Sequence, residues 1–235
     1  MPSTTLDIPL LRAACWFAEE PPVPLAGDGF LELAWGRPDV AFVEPLLRRR
    51  LSPLAKAFCH CAQRVAPPGG CRVVFASRHG EAERTLAILQ DLAVGEEVSP
   101  TQFSMSVHNA VPGLWSILKG DRSPACAVAA GAESFGWGLV EALAAFRAEP
   151  ERPLLFVYGD DRLPEPWAGP VPPGLLHAVA LLLGEPAQLR LVQTRRLAPE
   201  LAEPDLPQSV RCLQALAGGG PAAWEGPGGS WSWSS

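Results

Sequence analysis

The sequence predicts an α/β fold: a mixed five-stranded sheet with helices on both faces. Three observations carry that prediction. Short apolar, β-branched runs recur at CRVVFAS (71–77), ACAVAA (125–130) and LLFVY (154–158), as in strands buried on both faces. Segments with helical periodicity separate them, the alternation that builds a sheet covered on both faces. Two further apolar runs, Ala178–Leu183 and Leu189–Thr194, are joined by Gly184-Glu185-Pro186, short enough for a hairpin that makes the sheet mixed.

The elements follow in order. The first 45 residues read as irregular, rich in proline, with one strand candidate at Phe30–Ala34. Ser52-Pro53 is a helix start, Ser as N-cap and Pro in the first turn. Leu54, Phe58, Cys61 and Val65 then repeat along one face until Pro67-Pro68-Gly69-Gly70 ends the helix. After strand 71–77, Arg78-His79-Gly80-Glu81 turns into a helix over Glu81–Val94 with Leu86, Leu89 and Ala93 facing inward. Ser99-Pro100 opens FSMSVHNAVPGLWSI (103–117), read as a short strand over Gln102–Val107 turning sharply into a helix that continues through Gly113–Lys119 and stops at Gly120-Asp121. Strand 125–130 ends in Gly131-Ala132-Glu133. The helix Phe135–Phe146 carries the apolar stripe Leu139, Ala142, Leu143, Phe146, and strand 154–158 closes in Gly159-Asp160-Asp161. A Pro-rich loop spans 163–173. The organisation expected is an N-terminal segment (1–45) packed on a domain (46–196), then a C-terminal extension and Gly/Trp/Ser-rich tail (197–235). In that tail Trp231 and Trp233 alternate as an edge strand would.

Composition excludes several functions. A chain of 235 residues with 48% hydrophobic residues suits one domain with its own core. A net charge of -6, with no basic stripe beyond Arg48–Arg50, argues against nucleic acid as a partner. No apolar run reaches the roughly 20 residues of a membrane span, and no signal peptide is expected. Six scattered cysteines (15, 59, 61, 71, 126, 212) form no disulfide framework, which points to the cytoplasm. Cys59-His60-Cys61 looks like a metal fragment, but it lies in a helical pattern with no second ligand pair, so core packing is expected for Cys61 and no metal.

The chemistry of 103–117 turns on an absence. A helix N-terminus following a sharp turn is where enzymes often hold a nucleophile. Here Val107, His108, Asn109, Ala110, Val111 and Pro112 include no Ser, Cys or Thr. The run GLWSILKGDRSPACAVAAGAE (113–133) resembles a ketosynthase pattern, and counting back from Gly113 places the ketosynthase cysteine at Ala110, with Val111 and Pro112 at two serine positions. RRRLSPL (48–54), VFASRHGE (74–81) and SPTQFSMSVHNAVPGL (99–114) resemble the beta-ketoacyl synthase-like N-terminal domain family. The resemblance implies one half of a thiolase-like fold, where a full ketosynthase has two. It also implies a chain-length-factor-like subunit of aryl polyene-type biosynthesis, with no catalytic residue and no cofactor. Its expected partners are a full-length ketosynthase supplying the cysteine and two histidines and, through that complex, an acyl carrier protein. An alanine methyl forms no thioester, so condensation by this chain alone is not expected.

The same resemblance implies pairing through the strand before the nucleophile turn, placed at Gln102–Val107. Phe103, Met105 and Trp115 are then candidates to cap a partner's acyl tunnel; Phe103 and Met105 are equally readable as core packing, and for Trp115 core packing is the preferred reading. A larger side chain there would stop a growing chain sooner, since overpacking costs about 1–3 kcal/mol. His108 and Asn109, expected to be mostly buried, either tie the turn to nearby backbone or reach across the interface. Gly113 and Gly131 are expected to permit close packing, and Glu133 to bond backbone N–H groups. Two alternatives stay open: a small acyl hydrolase in which Ser106 and His108 share a strand face (with Ser104 nearby and His79 as another base), and a structural homodimer without acyl contact.

Overall fold

The computed structural model describes residues 3–26, 30–165, 167–168, 174–195, 206–218 and 220–235. The elements in order are β1 (Ser3–Phe17), β2 (Leu31–Trp35), α1 (Pro45–Arg48), α2 (Pro53–Val65), β3 (Arg72–Ala76), α3 (Ala82–Ala93), α4 (Pro100–Ser106), α5 (Ala110–Lys119), β4 (Ala125–Val128), α6 (Ser134–Ala148), β5 (Leu154–Asp160), β6 (His177–Arg195), α7 (Gln208–Leu216), β7 (Ala222–Gly226) and β8 (Gly229–Ser234).

They form one mixed sheet of eight strands, not five, with path β2-β1-β6-β5-β3-β4 and β8 joining β6 and β7. Strands β3, β4 and β5 are parallel; β6 runs antiparallel to both β5 and β1. Successive side chains alternate between faces, so each strand feeds two cores. One core contains Val74, Ala76, Phe156 and Leu181 under α6 and α7; the other contains Val73, Phe75, Leu155 and Val157 under α2 and α5.

The short apolar runs and the helices between them form as the pattern predicts. Ser52 Oγ accepts from Ala55 N at 3.0 Å, capping α2, and Leu54, Phe58, Cys61 and Val65 are all buried. Three expectations fail here, each for a physical reason. In the N-terminal segment the strand expected at Phe30–Ala34 forms as β2, but the unexpected β1 lies inside the sheet between β2 and β6, its early half recruited by pairing with the distal half of β6. The hairpin expected at 184–186 does not form. Leu10 of β1 faces both Leu183 and Ala187 of β6, so 184–186 are extra residues in a bulge, which tolerates Gly and Pro as a ladder interior does not. The strand that the alternation of Trp231 and Trp233 suggests does form, as β8, and with β7 it makes a C-terminal hairpin in which both tryptophans point inward at 0% and 1% exposure. Residues Gln102–Val107 are not a strand: Pro100–Ser106 is helix α4, opened by Ser99 as N-cap and Pro100 in the first turn, and Val107 breaks it with extended φ/ψ of -71°/149°. There the local start signal outweighs the apolar alternation.

Candidate functional site

The carboxyl ends of parallel strands β3, β4 and β5 lie side by side, and four segments converge there: the loop Ser77–Glu81, the α4–α5 turn at 107–109, the β4–α6 turn at 129–133, and Asp160-Asp161.

His108 fixes the first turn. Its Nε2 lies 3.1 Å from Val128 O, and its ring leans on Phe75 with centroids 5.6 Å apart. Gly80 faces the ring at φ +58°, and a Cβ there would sit 2.7 Å from His108 Nδ1, so this position requires glycine on two counts. His108 therefore ties the turn to backbone, one of its two expected roles. Asn109 is exposed, contrary to expectation. Ala110 starts α5 and is 8% exposed. Ser104 and Ser106 donate to carbonyls of their own helix, Thr101 O at 3.0 Å and Phe103 O at 2.9 Å. With a helix in place of the strand, Ser106 and His108 share no face, and the hydrolase geometry is not assembled.

The β4–α6 turn is the strand-to-helix turn with the form expected around 103–117. β4 is an edge strand, exposed or half-exposed where a buried strand was expected. It runs through Ala129, Ala130, Gly131 and Ala132 into the first turn of α6. Ser134 Oγ donates to Gly131 O (2.7 Å) and accepts from Ala130 N (2.9 Å), holding the turn closed. Gly131 has φ +58°, so its glycine serves the turn; a Cβ at Gly131 or at Gly113 would meet nothing, which corrects the close-packing expectation for both. In α6 the glycines of close approach are Gly136 and Gly138, where a Cβ would lie 2.7 Å from Trp231 and 2.5 Å from Ala76. Glu133 accepts from Gly228 N at 2.6 Å and from Trp137 Nε1 at 3.0 Å, so its backbone partner lies in the C-terminal hairpin. The sequence marks this turn through Gly131-Ala132-Glu133, the end of the segment that carries the ketosynthase resemblance.

Asp160 knits β3 to β5. It accepts from His79 N (3.0 Å), Ser77 Oγ (3.1 Å) and Tyr158 Oη (3.4 Å), with His79 Nδ1 3.2 Å away. Its partners are structural, and His79 is held by them. Burial raises the pKa of neighbouring Asp161 and of Glu81, which Ser52 and Arg84 hold by hydrogen bonds. A Ser–His contact does exist elsewhere. His177 lies 2.7 Å from both Leu175 O and Ser209 Oγ, but His177 and Ser209 are 1% and 0% exposed, so no substrate reaches them.

No cysteine is primed as a nucleophile. A reactive thiol needs a lowered pKa, whereas burial pushes Cys15 and Cys59 up to about 12 and Cys71 up to about 11, and raises Cys61 and Cys212 too. Cys61 is core, its Sγ 3.5 Å from Ala178 O. Cys126 on β4 is exposed, and its pKa is raised by partial burial and by Glu141.

The tunnel candidates separate by environment. Phe103 is 59% exposed, and Met105 is half-buried against the α2–α5 core. Trp115 is core: 2% exposed, edge-on to Phe42 and Phe58, with Lys119 Nζ 4.9 Å from its ring centre. A cleft of about 560 Å³ lies between Pro67–Cys71 and Trp115, Lys119, Asp121 and Arg122. It sits at the amino ends of β3 and β4, away from both turns. No helix among the described residues is long and apolar enough to cross a membrane.

Comparison with known proteins decides the family. Residues 30–234 match the family described as beta-ketoacyl synthase, N-terminal domain. The chain belongs to this family. A chain from the ketosynthase ApeO in complex with its chain length factor ApeC, from Xenorhabdus doucetiae, is 30% identical, with a TM-score of 0.80 over 98% of this chain and 100% of that one. The shared architecture is the thiolase-like α/β fold of ketosynthases. PksG, an HMG-CoA synthase from Bacillus subtilus, is 15% identical over 70% of this chain and 38% of its own, with a TM-score of 0.39, too distant to bear on function. No curated protein matches the chain.

Proposed function

We propose that this ketosynthase-family chain is a non-catalytic subunit, a chain-length factor, that pairs with a full-length ketosynthase. The pair extends an aryl polyene-type or related polyketide chain with malonyl units on an acyl carrier protein, in the cytoplasm. The observation that carries the reading is the end-to-end match with a chain of a ketosynthase–chain-length-factor complex. A ketosynthase contains two thiolase-like halves. The match to a chain of such a complex, together with the missing Cys, Ser or Thr at 107–112, supports the chain-length-factor reading.

The chemistry of the site agrees. Claisen condensation needs a thiolate to carry the acyl group and donors for the developing oxyanion. The resemblance puts the empty nucleophile position at Ala110, whose methyl forms no thioester. Because Gln102–Val107 is helical, the pairing role passes in this reading to the open edge strand β4. Val73 N–H donates to Pro124 O and Ser77 N–H to Val128 O, so residues 124, 126 and 128 face β3. By alternation, the N–H and C=O of Ala125, Ala127 and Ala129 point off the sheet. An antiparallel partner strand would satisfy them.

Phe103 and Met105 on α4 stand as the side chains that would reach a partner's acyl tunnel, with His108 positioning the turn and Asn109 open to contact. The test is reconstitution with the ketosynthase encoded beside this chain. Phe103→Ala lengthens the product and Phe103→Trp shortens it, read by mass spectrometry of the released chains. Unchanged product length in both variants removes the tunnel role.

A further inference from the structure

Helices α3 and α4 form a hairpin that buries almost nothing. Ile88 is the one buried residue of α3, and it belongs to neither core; α4 has none. The principal neighbour of α3 is α4, which packs on α5, which packs on β4. Of the stripe Leu86, Leu89 and Ala93 expected to face inward, Leu86 is half-buried while Leu89 and Ala93 are exposed. Leu89 is 48% exposed, Leu92 54%, and Val94, the residue that follows α3, 77%. Scattered exposed leucines are ordinary, but three within six residues on a helix that packs on no core mark a face awaiting a partner.

Charge indicates the partner. Residues 82–107 hold four acids, Glu83, Asp91, Glu96 and Glu97, and one base, Arg84. Arg84 is occupied by Glu81 at 2.9 Å and by Arg50 O. The open leucines are therefore rimmed by uncompensated negative charge, which opposes docking on a second copy of a chain with net charge -6. The base of the hairpin is anchored beside the open edge, because His108 after α4 contacts Val128 at the end of β4.

We propose that α3 is a grip on the ketosynthase subunit: Leu89, Leu92 and Val94 enter an apolar groove there, rimmed by Lys and Arg that meet Asp91, Glu96 and Glu97. The inference rests on the heterodimer reading above and adds a second contact region to β4. It separates affinity, held by α3, from product length, held by α4.

Affinity for the purified neighbouring ketosynthase, measured by calorimetry at two salt concentrations, tests it. The double variant Leu89→Glu/Leu92→Glu is expected to weaken binding about thirtyfold or more, the size of a hot-spot loss. Because those side chains are already exposed, its circular dichroism and melting remain those of the unsubstituted chain. Glu96→Gln/Glu97→Gln slows association and flattens its salt dependence. In hydrogen exchange, α3 amides gain protection on binding. If the unsubstituted chain binds and the leucine variant binds equally well, the grip is overturned while the heterodimer stands. If the unsubstituted chain binds no ketosynthase, both fall. If it self-associates and the leucine variant is monomeric, the groove belongs to a second copy and the proposal is wrong.

Discussion

His108 shows how one side chain organises the carboxyl edge of the sheet. It contacts Val128 O, leans on Phe75 and fills the space over Gly80, linking two strand ends and the loop after β3 to the α4–α5 turn. Gly80→Ala adds a Cβ at 2.7 Å from the ring in a backbone conformation that alanine resists. The expected loss is about 1–3 kcal/mol, read by urea unfolding. The buried histidines make a pH prediction. Burial lowers the pKa of His177 below its ordinary 6.5 and does the same for His60, where Arg64 adds to the effect. Both are neutral when folded and take up protons on unfolding, so stability is full above pH 6.5 and falls as pH drops below it. Unfolding titrations between pH 6.5 and about 5.5 will show that slope, and His177→Asn will reduce it.

At the scale of elements, the edge strand β4 is the most informative. Proline at position 127 removes an N–H that points away from β3, so the β3–β4 ladder survives, as edge strands permit. Ala127→Pro is therefore expected to fold with a near-native melting temperature and to lose binding to the ketosynthase; retained affinity would show that the partner does not add a strand there. The C-terminal hairpin has the opposite character. Trp233 is 1% exposed and sits edge-on to Phe135, so Trp233→Ala should cost about 3–5 kcal/mol in chemical denaturation. These elements also show what the sequence makes legible. Strands such as VVF and LLFV announce themselves because both faces are buried, and α2 because Ser52-Pro53 starts it. β1 owes its strand state to the distant β6, so local pattern misses it, whereas β8 shows in the alternation of Trp231 and Trp233. The motif around His108 is distinctive in sequence yet structural in its visible contacts. The alanine turn after β4 has the strand-to-helix geometry, and Gly131-Ala132-Glu133 marks it in the sequence.

At the scale of the whole molecule, the fold presents a sheet edge that is open, two turns lined by methyl groups, and a helical hairpin whose Leu89 and Leu92 are exposed. Every thiol is shifted away from reactivity, and the Ser–His contact at His177 is sealed. On the proposed function, these features supply wall, edge and grip to the ketosynthase partner. The most direct test is reconstitution from purified components, comparing carbon–carbon bond formation from acyl and malonyl carriers by this chain alone, by the ketosynthase alone, and by the two mixed. A one-to-one complex by native mass spectrometry, with condensation by the mixture and none by this chain alone, is the predicted result; products from this chain by itself would contradict it.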